Sequence, residues 1–334
     1  MKSKAFIFSI LFMITVIISG CGQEPKEIAK DNEDLFQVYT TVYPLQYFTQ
    51  QIGGEYVNVE TIYPPGADEH TFEPSQKDMI ALADADLFLY MGLGLEGFVD
   101  KASKTLENEN VVMVPVGEKL QFTENQSHDD EEAAHDEEAA HDEEAAHDEE
   151  AAHDEEAAHG GVDPHVWLDP IYSIDIAMQI KNQLTEQMPE HKETFESNFA
   201  QLSDKLEALD HEFTEAIDAA KRNEFIVSHS AFSYWEKRYG VKQISISGLS
   251  TTNDPSQKEL QSLISHAKEE KIKYVLNEQN FDSKLAKMVE NEIGAKSLTL
   301  HNLSVLTDEN IKNKDTYFTL MEANIATLEK ALNE

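Results

Sequence analysis

The sequence predicts an α/β fold with two lobes joined by helices. Within residues 35–170, and again within 222–334, short apolar runs of strand length alternate with segments of helical periodicity. Strands that are apolar on both faces and alternate with helices are typical of parallel sheets covered on both sides. Residues 171–221, between these regions, have helical periodicity and no strand-like run. We therefore expect an N-terminal lobe over 35–170, connecting helices over 171–221 and a C-terminal lobe over 222–334.

The elements of the N-terminal lobe are predicted from β-branched and aromatic runs that end at turn residues. For example, Gly53-Gly54 ends the first predicted helix, and Pro64-Pro65-Gly66 ends the second predicted strand. The predicted strands cover residues 36–42, 56–63, 86–91 and 111–116, and the predicted helices cover 45–52, 75–85 and 94–106. This alternation is the pattern of one parallel sheet with its covering helices.

The connecting segment is predicted to form two helices, over 171–188 and 190–220, separated at Pro189. In the second helix, apolar residues recur every three or four positions. Two long helices without an intervening strand indicate a rigid connector between the lobes. Beyond residue 222 the alternation resumes, with strands predicted over 225–227, 242–246, 274–276 and 297–300, and helices over 231–239, 257–270, 283–293 and 315–332.

The net charge of the chain is −38, and a large part of it lies in residues 128–159. That run has 16 acidic residues and no lysine or arginine, so its removal would leave a charge of −22. An acidic surface without a basic patch repels nucleic acid and favours the capture of cations. We therefore expect no nucleic-acid partner.

The N-terminus has the features of a bacterial lipoprotein signal. Lys2 and Lys4 precede an apolar segment over 5–18, which is too short to span a bilayer as a permanent helix. The segment ends in Ile-Ser-Gly-Cys, which resembles a lipobox, and Cys21 is the only cysteine in the chain. We expect a signal peptide over 1–20, a lipid on Cys21 and a flexible tether over 21–34. The alternative is an ordinary secretory signal with an incidental cysteine.

The acidic run is also a repeat, because Glu-Glu-Ala-Ala-His-Asp recurs from residue 131. A step of six residues turns a helix by about 600°, so successive histidines would lie about 120° apart. Such a helix has no apolar stripe to bury, and its acidic side chains repel one another. We therefore predict a disordered or transiently helical loop over about 124–160.

Three histidines outside this loop are candidate metal ligands. His70 and His229 lie just after predicted strands, and His165 lies in a loop bounded by prolines. Ligands of open parallel sheets bind at the carboxyl ends of the strands, and neutral imidazole suits zinc, copper, nickel or iron. Because no cysteine remains for a thiolate site, three histidines and one oxygen would form a tetrahedral zinc set. A capping or packing role is the alternative for each histidine taken alone.

Several motifs resemble those of one family, the metal-binding receptor lipoproteins of bacterial ABC importers, and in particular its zinc branch of the ZnuA/AdcA type. The resemblance extends from about residue 40 to the C-terminus. Its motifs are Tyr-Pro at 43–44, Pro-Pro-Gly-Ala-Asp-Glu-His-Thr-Phe-Glu-Pro-Ser at 64–75, Gly-Leu-Gly-Leu-Glu at 92–96, Asp-Pro-His-Val-Trp-Leu-Asp-Pro at 163–170, Ser-His-Ser-Ala-Phe-Ser-Tyr at 228–234 and Ile-Ser-Gly-Leu-Ser at 246–250. The resemblance implies two Rossmann-like (β/α) lobes joined by a long rigid helix, with the metal site in the inter-lobe cleft.

The resemblance also implies His70, His165 and His229 as zinc ligands. Histidine at 229, where manganese receptors commonly have glutamate, favours zinc. The fourth ligand does not carry over, because this chain has Asn-Leu-Ser at 302–304 where relatives place an acid. Glu69 matches a variant of the family in which a glutamate precedes the first histidine. Water, His301 and Glu278 are the other candidates.

The implied function is that of a Zn²⁺ receptor, not an enzyme, anchored by Cys21 to the outer face of the cytoplasmic membrane. Zinc would be the transported ligand, and an ABC permease with its ATPase would be the partners. A manganese receptor of the same fold is one alternative. A secreted zinc hydrolase is another, with Glu69 or Glu278 as general base. An adhesin is the third.

The histidine- and acid-rich loop has two interpretations. Its weak nitrogen and oxygen sites could raise the local zinc concentration and pass the metal to the cleft. Alternatively, it is a repeat expansion that transport does not need.

Overall fold

The structure is a computed structural model that describes residues 35–122, 162–280 and 283–334. The predicted signal peptide, the tether, the lipid site at Cys21 and the loop over 124–160 lie outside the described residues. No helix within the described ranges is both long enough and apolar enough to cross a membrane.

The first sheet contains four parallel strands, β1 (Phe36–Thr40), β2 (Val57–Thr61), β3 (Leu87–Tyr90) and β4 (Val112–Pro115). Their spatial order is β2-β1-β3-β4. The associated helices are α1 (Tyr43–Gly53), α2 (Gln76–Ala83) and α3 (Val99–Thr105). Helix α2 begins with a capping box, in which Ser75 and Asp78 satisfy each other's backbone N–H groups. The parallel sheet predicted for the N-terminal lobe is confirmed.

The second sheet repeats this topology. Its parallel strands are β5 (Glu224–His229), β6 (Lys242–Ser247), β7 (Tyr274–Asn277) and β8 (Lys296–Thr299), in the order β6-β5-β7-β8. The helices of this lobe are numbered α6 to α10 and cover Ser233–Tyr239, Gln257–Glu269, Lys284–Ile293, Asp308–Asn313 and Tyr317–Asn333. In both sheets the first strand lies between the second and the third, and the fourth lies at the edge next to the third. The predicted two-lobed α/β fold is confirmed.

Two helices connect the sheets, α4 (Pro170–Gln187) and α5 (Lys192–Asp218). Helix α5 has 27 residues, which corresponds to a length of about 40 Å. Near its start the Phe195 ring contacts Tyr56 of the first lobe, and near its end Phe213 stacks on Tyr239 of the second at a centroid distance of 4.2 Å. One helix thus spans both lobes.

Helix α10 forms a second link between the lobes. The ring of Tyr317, at its start, lies 4.9 Å from that of Phe48 in α1, and its hydroxyl donates to the carbonyl of Trp167 at 2.8 Å. The largest group of buried apolar residues runs without interruption from β1 to α10, and a smaller group lies in the second lobe. The two lobes therefore share a core, and this favours a fixed relative position.

Two elements differ from the expectation. Helix α3 begins at Val99, not at residue 94, because Gly92, Leu93 and Gly94 all have positive φ and form a turn. The carboxylate of Glu96 accepts the backbone N–H groups at 91 and 92 and so fixes that turn. Helix α9 was not predicted from the sequence. It is six residues long and depends on a capping box at its start, too short for a periodic pattern to indicate.

Candidate metal centre

Loops at the carboxyl ends of the two sheets contact each other, and the candidate ligands lie among them. His229 is the last residue of β5, Glu69 and His70 lie in the loop that follows β2, and His165 lies in the loop that precedes α4. One ligand atom from each of these four residues lies within 4.8 Å of all the others. The structure thus brings together all four site residues named from the sequence.

The spacing of the imidazoles suits a tetrahedral ion. Nε2 of His165 and Nε2 of His229 are 3.4 Å apart, and the three ring centroids lie 5.2 to 5.7 Å from one another. Two nitrogens that bind zinc at the usual bond length with tetrahedral angles are about 3.3 Å apart. The two rings therefore already have the separation that one shared zinc ion requires.

His165 is held by a carboxylate two residues before it. Asp163 Oδ1 accepts the backbone N–H of His165 at 2.9 Å and its Nδ1–H at 2.7 Å, and the second oxygen accepts the hydroxyl of Ser233. Burial acts to raise the pKa of Asp163, but the interactions with His165 and Ser233 are stronger together and lower it. With the proton of His165 fixed on Nδ1, the lone pair of Nε2 points into the cluster.

His229 is oriented in the same way by Glu278. Its Nδ1 donates to Oε1 of Glu278, which also accepts the hydroxyl of Ser228 at 2.7 Å. Burial acts to lower the pKa of His229, but the Glu278 carboxylate outweighs it and raises this pKa to about 8. Burial opposes ionisation of Glu278, and His229 nonetheless keeps the pKa of Glu278 below its usual value.

His70 contributes a neutral nitrogen. Its Nε2 is buried and has no hydrogen-bond partner among the described residues. Burial lowers the pKa of His70 to about 2, with a further contribution from His165 and His229. An imidazole that stays neutral and has one buried nitrogen without a hydrogen-bond partner among the described residues is suited to bind a metal ion.

Glu69 supplies the carboxylate of the four-residue group. Its side chain is buried, and Oε1 accepts from Nδ2 of Asn302 at 3.0 Å. Burial, and then the negative charge of Glu278, raise the pKa of Glu69, while His165 and His229 act in the opposite direction. A cation placed between the histidines would offset both of these unfavourable effects.

The other candidates for the fourth ligand are engaged elsewhere. Oε2 of Glu278 accepts from Asn302 at 2.6 Å, so both of its oxygens have hydrogen-bond donors. Nδ1 of His301 accepts from the backbone of Leu303 at 2.9 Å, and Nε2 lies 3.2 Å from Oδ1 of Asn310. Burial lowers the pKa of His301 to about 4. Neither residue belongs to the four-residue group.

Histidines elsewhere in the described residues have different surroundings. His211 is exposed on α5. His266 pairs with Glu224 at 2.7 Å. His191 lies in the turn that begins at Pro189 and stacks on Tyr56 at a centroid distance of 3.7 Å.

The loop over 64–74 carries two of the four residues and is bonded to the opposite lobe. Its Asp68 accepts the hydroxyl of Thr251 at 2.7 Å, and the carbonyl of Ala67 accepts Nδ2 of Asn280 at 2.9 Å. The N–H of Gly66 donates to the carbonyl of Leu306 at 3.0 Å. These bonds hold the loop against the second lobe and enclose the cluster.

Sequence patterns did not identify the hydrogen-bond partners of these histidines. Asp163 could have been suggested by its position two residues before His165. Ser228 adjoins His229 in the sequence, but no local pattern indicates that it donates to Glu278. Likewise no local pattern connects Asn302 with Glu69, 233 positions earlier.

Comparison with known proteins identifies the family. A family model described as ZnuA, "Zinc-uptake complex component A periplasmic", matches residues 38–331. The zinc-binding lipoprotein AdcA of Streptococcus pneumoniae is 34% identical over 343 residues, which include 100% of this chain and 62% of AdcA. The high-affinity zinc uptake system protein ZnuA of Bacillus subtilis is 31% identical over 334 residues, which cover 99% of this chain and 97% of that protein.

A solved structure supports the same assignment. The Zn(II)-bound ZnuA-like domain of Streptococcus pneumoniae AdcA aligns with a TM-score of 0.69 and 31% identity, over 90% of this chain and 100% of that domain. The chain spans about 62% of the length of the AdcA proteins that it matches. The resemblance inferred from the motifs is thereby confirmed: the chain belongs to the ZnuA family, the component A of zinc-uptake complexes.

Proposed function

We propose that this chain is an extracytoplasmic receptor that binds Zn²⁺ between its lobes and delivers it to an ABC permease for uptake. The observation that carries the proposal is the convergence of His70, His165, His229 and Glu69, with ligand atoms within 4.8 Å. The names of the relatives, zinc-binding lipoprotein AdcA and high-affinity zinc uptake system protein ZnuA, support zinc as the cargo.

The donor set favours zinc over manganese. Three neutral imidazoles and one carboxylate form the tetrahedral set that zinc prefers, whereas manganese sites normally contain more oxygen ligands. Glu278 is the nearest candidate for a second carboxylate ligand, but it is hydrogen-bonded to His229 and Asn302. We assign Glu69 as the fourth ligand.

The proposed site suits binding better than hydrolysis. A catalytic zinc ion keeps one coordination position open for water. Here Glu69 would fill the fourth position, so no position would remain for water. His165, His229 and Glu69 are at most 3% exposed and His70 is half-buried, so the secreted zinc hydrolase is disfavoured.

The lipid anchor and the ATPase partner are also part of the proposal. We infer that Cys21 carries a lipid that anchors the protein to the outer face of the cytoplasmic membrane, and that the permease works with an ATPase. A mass shift of the N-terminal peptide would test the lipid, and a Cys21→Ala variant should lack that shift.

Release of zinc requires an external force in this proposal. The shared core, helix α5 and the bonds from the loop over 64–74 all resist separation of the lobes. We infer that the permease pulls this loop and the lobes apart. A complex with the permease in which the lobes are undisturbed and the zinc is already gone would contradict this inference.

The main experiment is a chelator-competition titration of Zn²⁺ and Mn²⁺ into mature protein that lacks residues 129–159. We expect one tight zinc site, lost in His165→Ala and retained in His211→Ala, the control on an exposed face of α5. Comparable manganese binding would favour the manganese receptor. If no tight site is found, the cleft is not the zinc site.

The histidine- and acid-rich loop is tested separately. If it captures zinc for the cleft, cells that express the protein without residues 129–159 will grow more slowly in zinc-depleted medium. Unchanged growth would favour the repeat-expansion interpretation.

A further inference from the structure

One amide group behind the metal centre contacts both buried carboxylates. Nδ2 of Asn302 donates to Oε1 of Glu69 at 3.0 Å and to Oε2 of Glu278 at 2.6 Å. All three residues are buried. Because the amide nitrogen carries two protons, this one group can donate to both carboxylates at once.

The orientation of this amide is determined at its opposite end. Oδ1 of Asn302 accepts from Nε2 of Gln279 at 3.1 Å, and from the backbone N–H and the hydroxyl of Ser304 at 3.1 and 2.9 Å. A flipped amide would direct its NH₂ group at these donors and its oxygen at two carboxylates. The backbone carbonyl of Asn302 also accepts from Nε1 of Trp167 at 2.7 Å, so the whole residue is fixed.

We propose that Asn302 is a positioning residue that directs Glu69 to the metal as the only anionic ligand and keeps Glu278 out of the ligand set. The inference rests on the zinc site proposed above. Oε1 of Glu278 is occupied by His229 and Ser228, and Asn302 occupies the remaining oxygen. Without that amide, one oxygen of Glu278 would be free to reach the ion.

The same contact makes Asn302 a determinant of metal specificity. With Glu278 held behind His229, the ion is offered three imidazoles and one carboxylate, the set that favours zinc. A second carboxylate would shift the preference toward manganese. The amide also lies between two carboxylates whose negative charges repel each other, and it stabilises both.

The test is the isosteric variant Asn302→Asp, which keeps the shape of the residue but replaces the NH₂ group with an acceptor. We expect zinc affinity to fall at least about tenfold and the ratio of zinc to manganese affinity to fall with it. The absorption of bound Co²⁺ provides a reading of geometry, because four-coordinate Co²⁺ absorbs visible light more strongly than five- or six-coordinate Co²⁺. We expect this absorption to weaken in the variant. Asn324→Asp is the matched control, because Asn324 is equally buried but, within the part of the chain that the structure describes, bonds only to the backbone of His301 and to Met321.

A second variant separates positioning from a general loss of folding. In Glu278→Gln combined with Asn302→Asp, the amide and the carboxylate exchange places, so the new amide at position 278 can donate to the new carboxylate at position 302. We expect this pair to recover part of the zinc affinity and of the Co²⁺ absorption.

The outcomes separate this inference from the proposed function. Wild-type affinity, selectivity and Co²⁺ absorption in Asn302→Asp would overturn the inference while the zinc site stands. An equal loss in Asn324→Asp, or no recovery in the double variant, would also overturn it. Absence of a tight zinc site in the wild-type protein would instead refute the proposed function on which it rests.

Discussion

Removal of the Asp163 carboxylate should weaken zinc binding although Asp163 is not a proposed ligand. Its Oδ1 accepts Nδ1–H of His165 at 2.7 Å and so fixes the nitrogen that faces the ion. Loss of such a partner typically lowers metal affinity by about 10- to 100-fold, which is about 1.4 to 2.7 kcal/mol of binding free energy. Two substitutions at position 163 are expected to fall at opposite ends of this range of affinity loss.

Asp163→Asn should fall near the lower end of the range. Its amide oxygen can still accept from His165, and its NH₂ group can donate to the hydroxyl of Ser233, so geometry is kept and only the negative charge is lost. We expect about a tenfold loss of affinity. Asp163→Ala removes the acceptor as well, and we expect a loss of about 100-fold.

Stability must be measured beside affinity. In Asp163→Ala, three donors lose their acceptor: the ring N–H and the backbone N–H of His165, and the hydroxyl of Ser233. Each of these groups that stays buried and unpaired lowers the free energy of unfolding by about 1 to 3 kcal/mol. Denaturant unfolding of the metal-free protein would measure this loss. Chelator competition, under conditions in which each variant is folded, would measure zinc affinity.

Asp169→Asn is the control for this series. Asp169 is a second buried aspartate of the same loop, but it caps α4 and pairs with Arg238 instead of a histidine. This variant should lose stability and keep zinc affinity within about twofold, because its carboxylate lies outside the hydrogen-bond network of His165. Zinc affinity in Asp163→Ala equal to that of the wild-type protein would refute the argument that this carboxylate orients His165.

Three further predictions follow from the geometry of the site. Imidazole must be neutral to bind metal, and Glu278 raises the pKa of His229 to about 8, so zinc affinity should fall as the pH drops below about 8. Zinc binding should then release protons, which calorimetry in buffers of different ionisation enthalpy can measure. A zinc affinity that stays constant between about pH 6.5 and 8 would contradict this. Zinc in thousandfold excess over its Kd should stabilise the fold by about 4 kcal/mol. This should appear as a rise in Tm that EDTA reverses and that the His70→Ala variant lacks. An equal rise in Tm of that variant would show that the ion binds elsewhere. Trp167→Phe should lower the free energy of unfolding by about 1 to 3 kcal/mol, because it leaves the buried carbonyl of Asn302 without the indole N–H that donates to it at 2.7 Å. Denaturant unfolding would measure this change. An unchanged midpoint and slope of the unfolding curve would contradict the prediction.

The architecture could largely be predicted from the sequence. The two sheets, the helix-only connector and the position of each strand follow from local hydrophobic periodicity, because each buried face repeats its apolar residues at the period of its own backbone. The predicted elements differ from the structure where backbone conformation, not hydrophobic periodicity, determines where a helix begins. The turn at residues 92–94 depends on three positive φ angles, and α9 depends on a cap at Thr307.

The candidate ligands were also named from the sequence, but their partners were not. His70, His165 and His229 are recognisable because each follows a strand or lies in a proline-bounded loop. Which of Glu69 and Glu278 joins the group of candidate ligands could not be predicted locally, because both are acids close to a strand end.

Only the tertiary structure distinguishes the surroundings of these two carboxylates. Within the second lobe Glu278 contacts both His229 and Asn302, and packing of the first lobe against the second brings Glu69 to the same amide. The physical reason is the distance in sequence. Periodicity records which face of an element is buried, whereas these contacts join residues from 24 to 233 positions apart, and the longest of them exists only because the two lobes share a core.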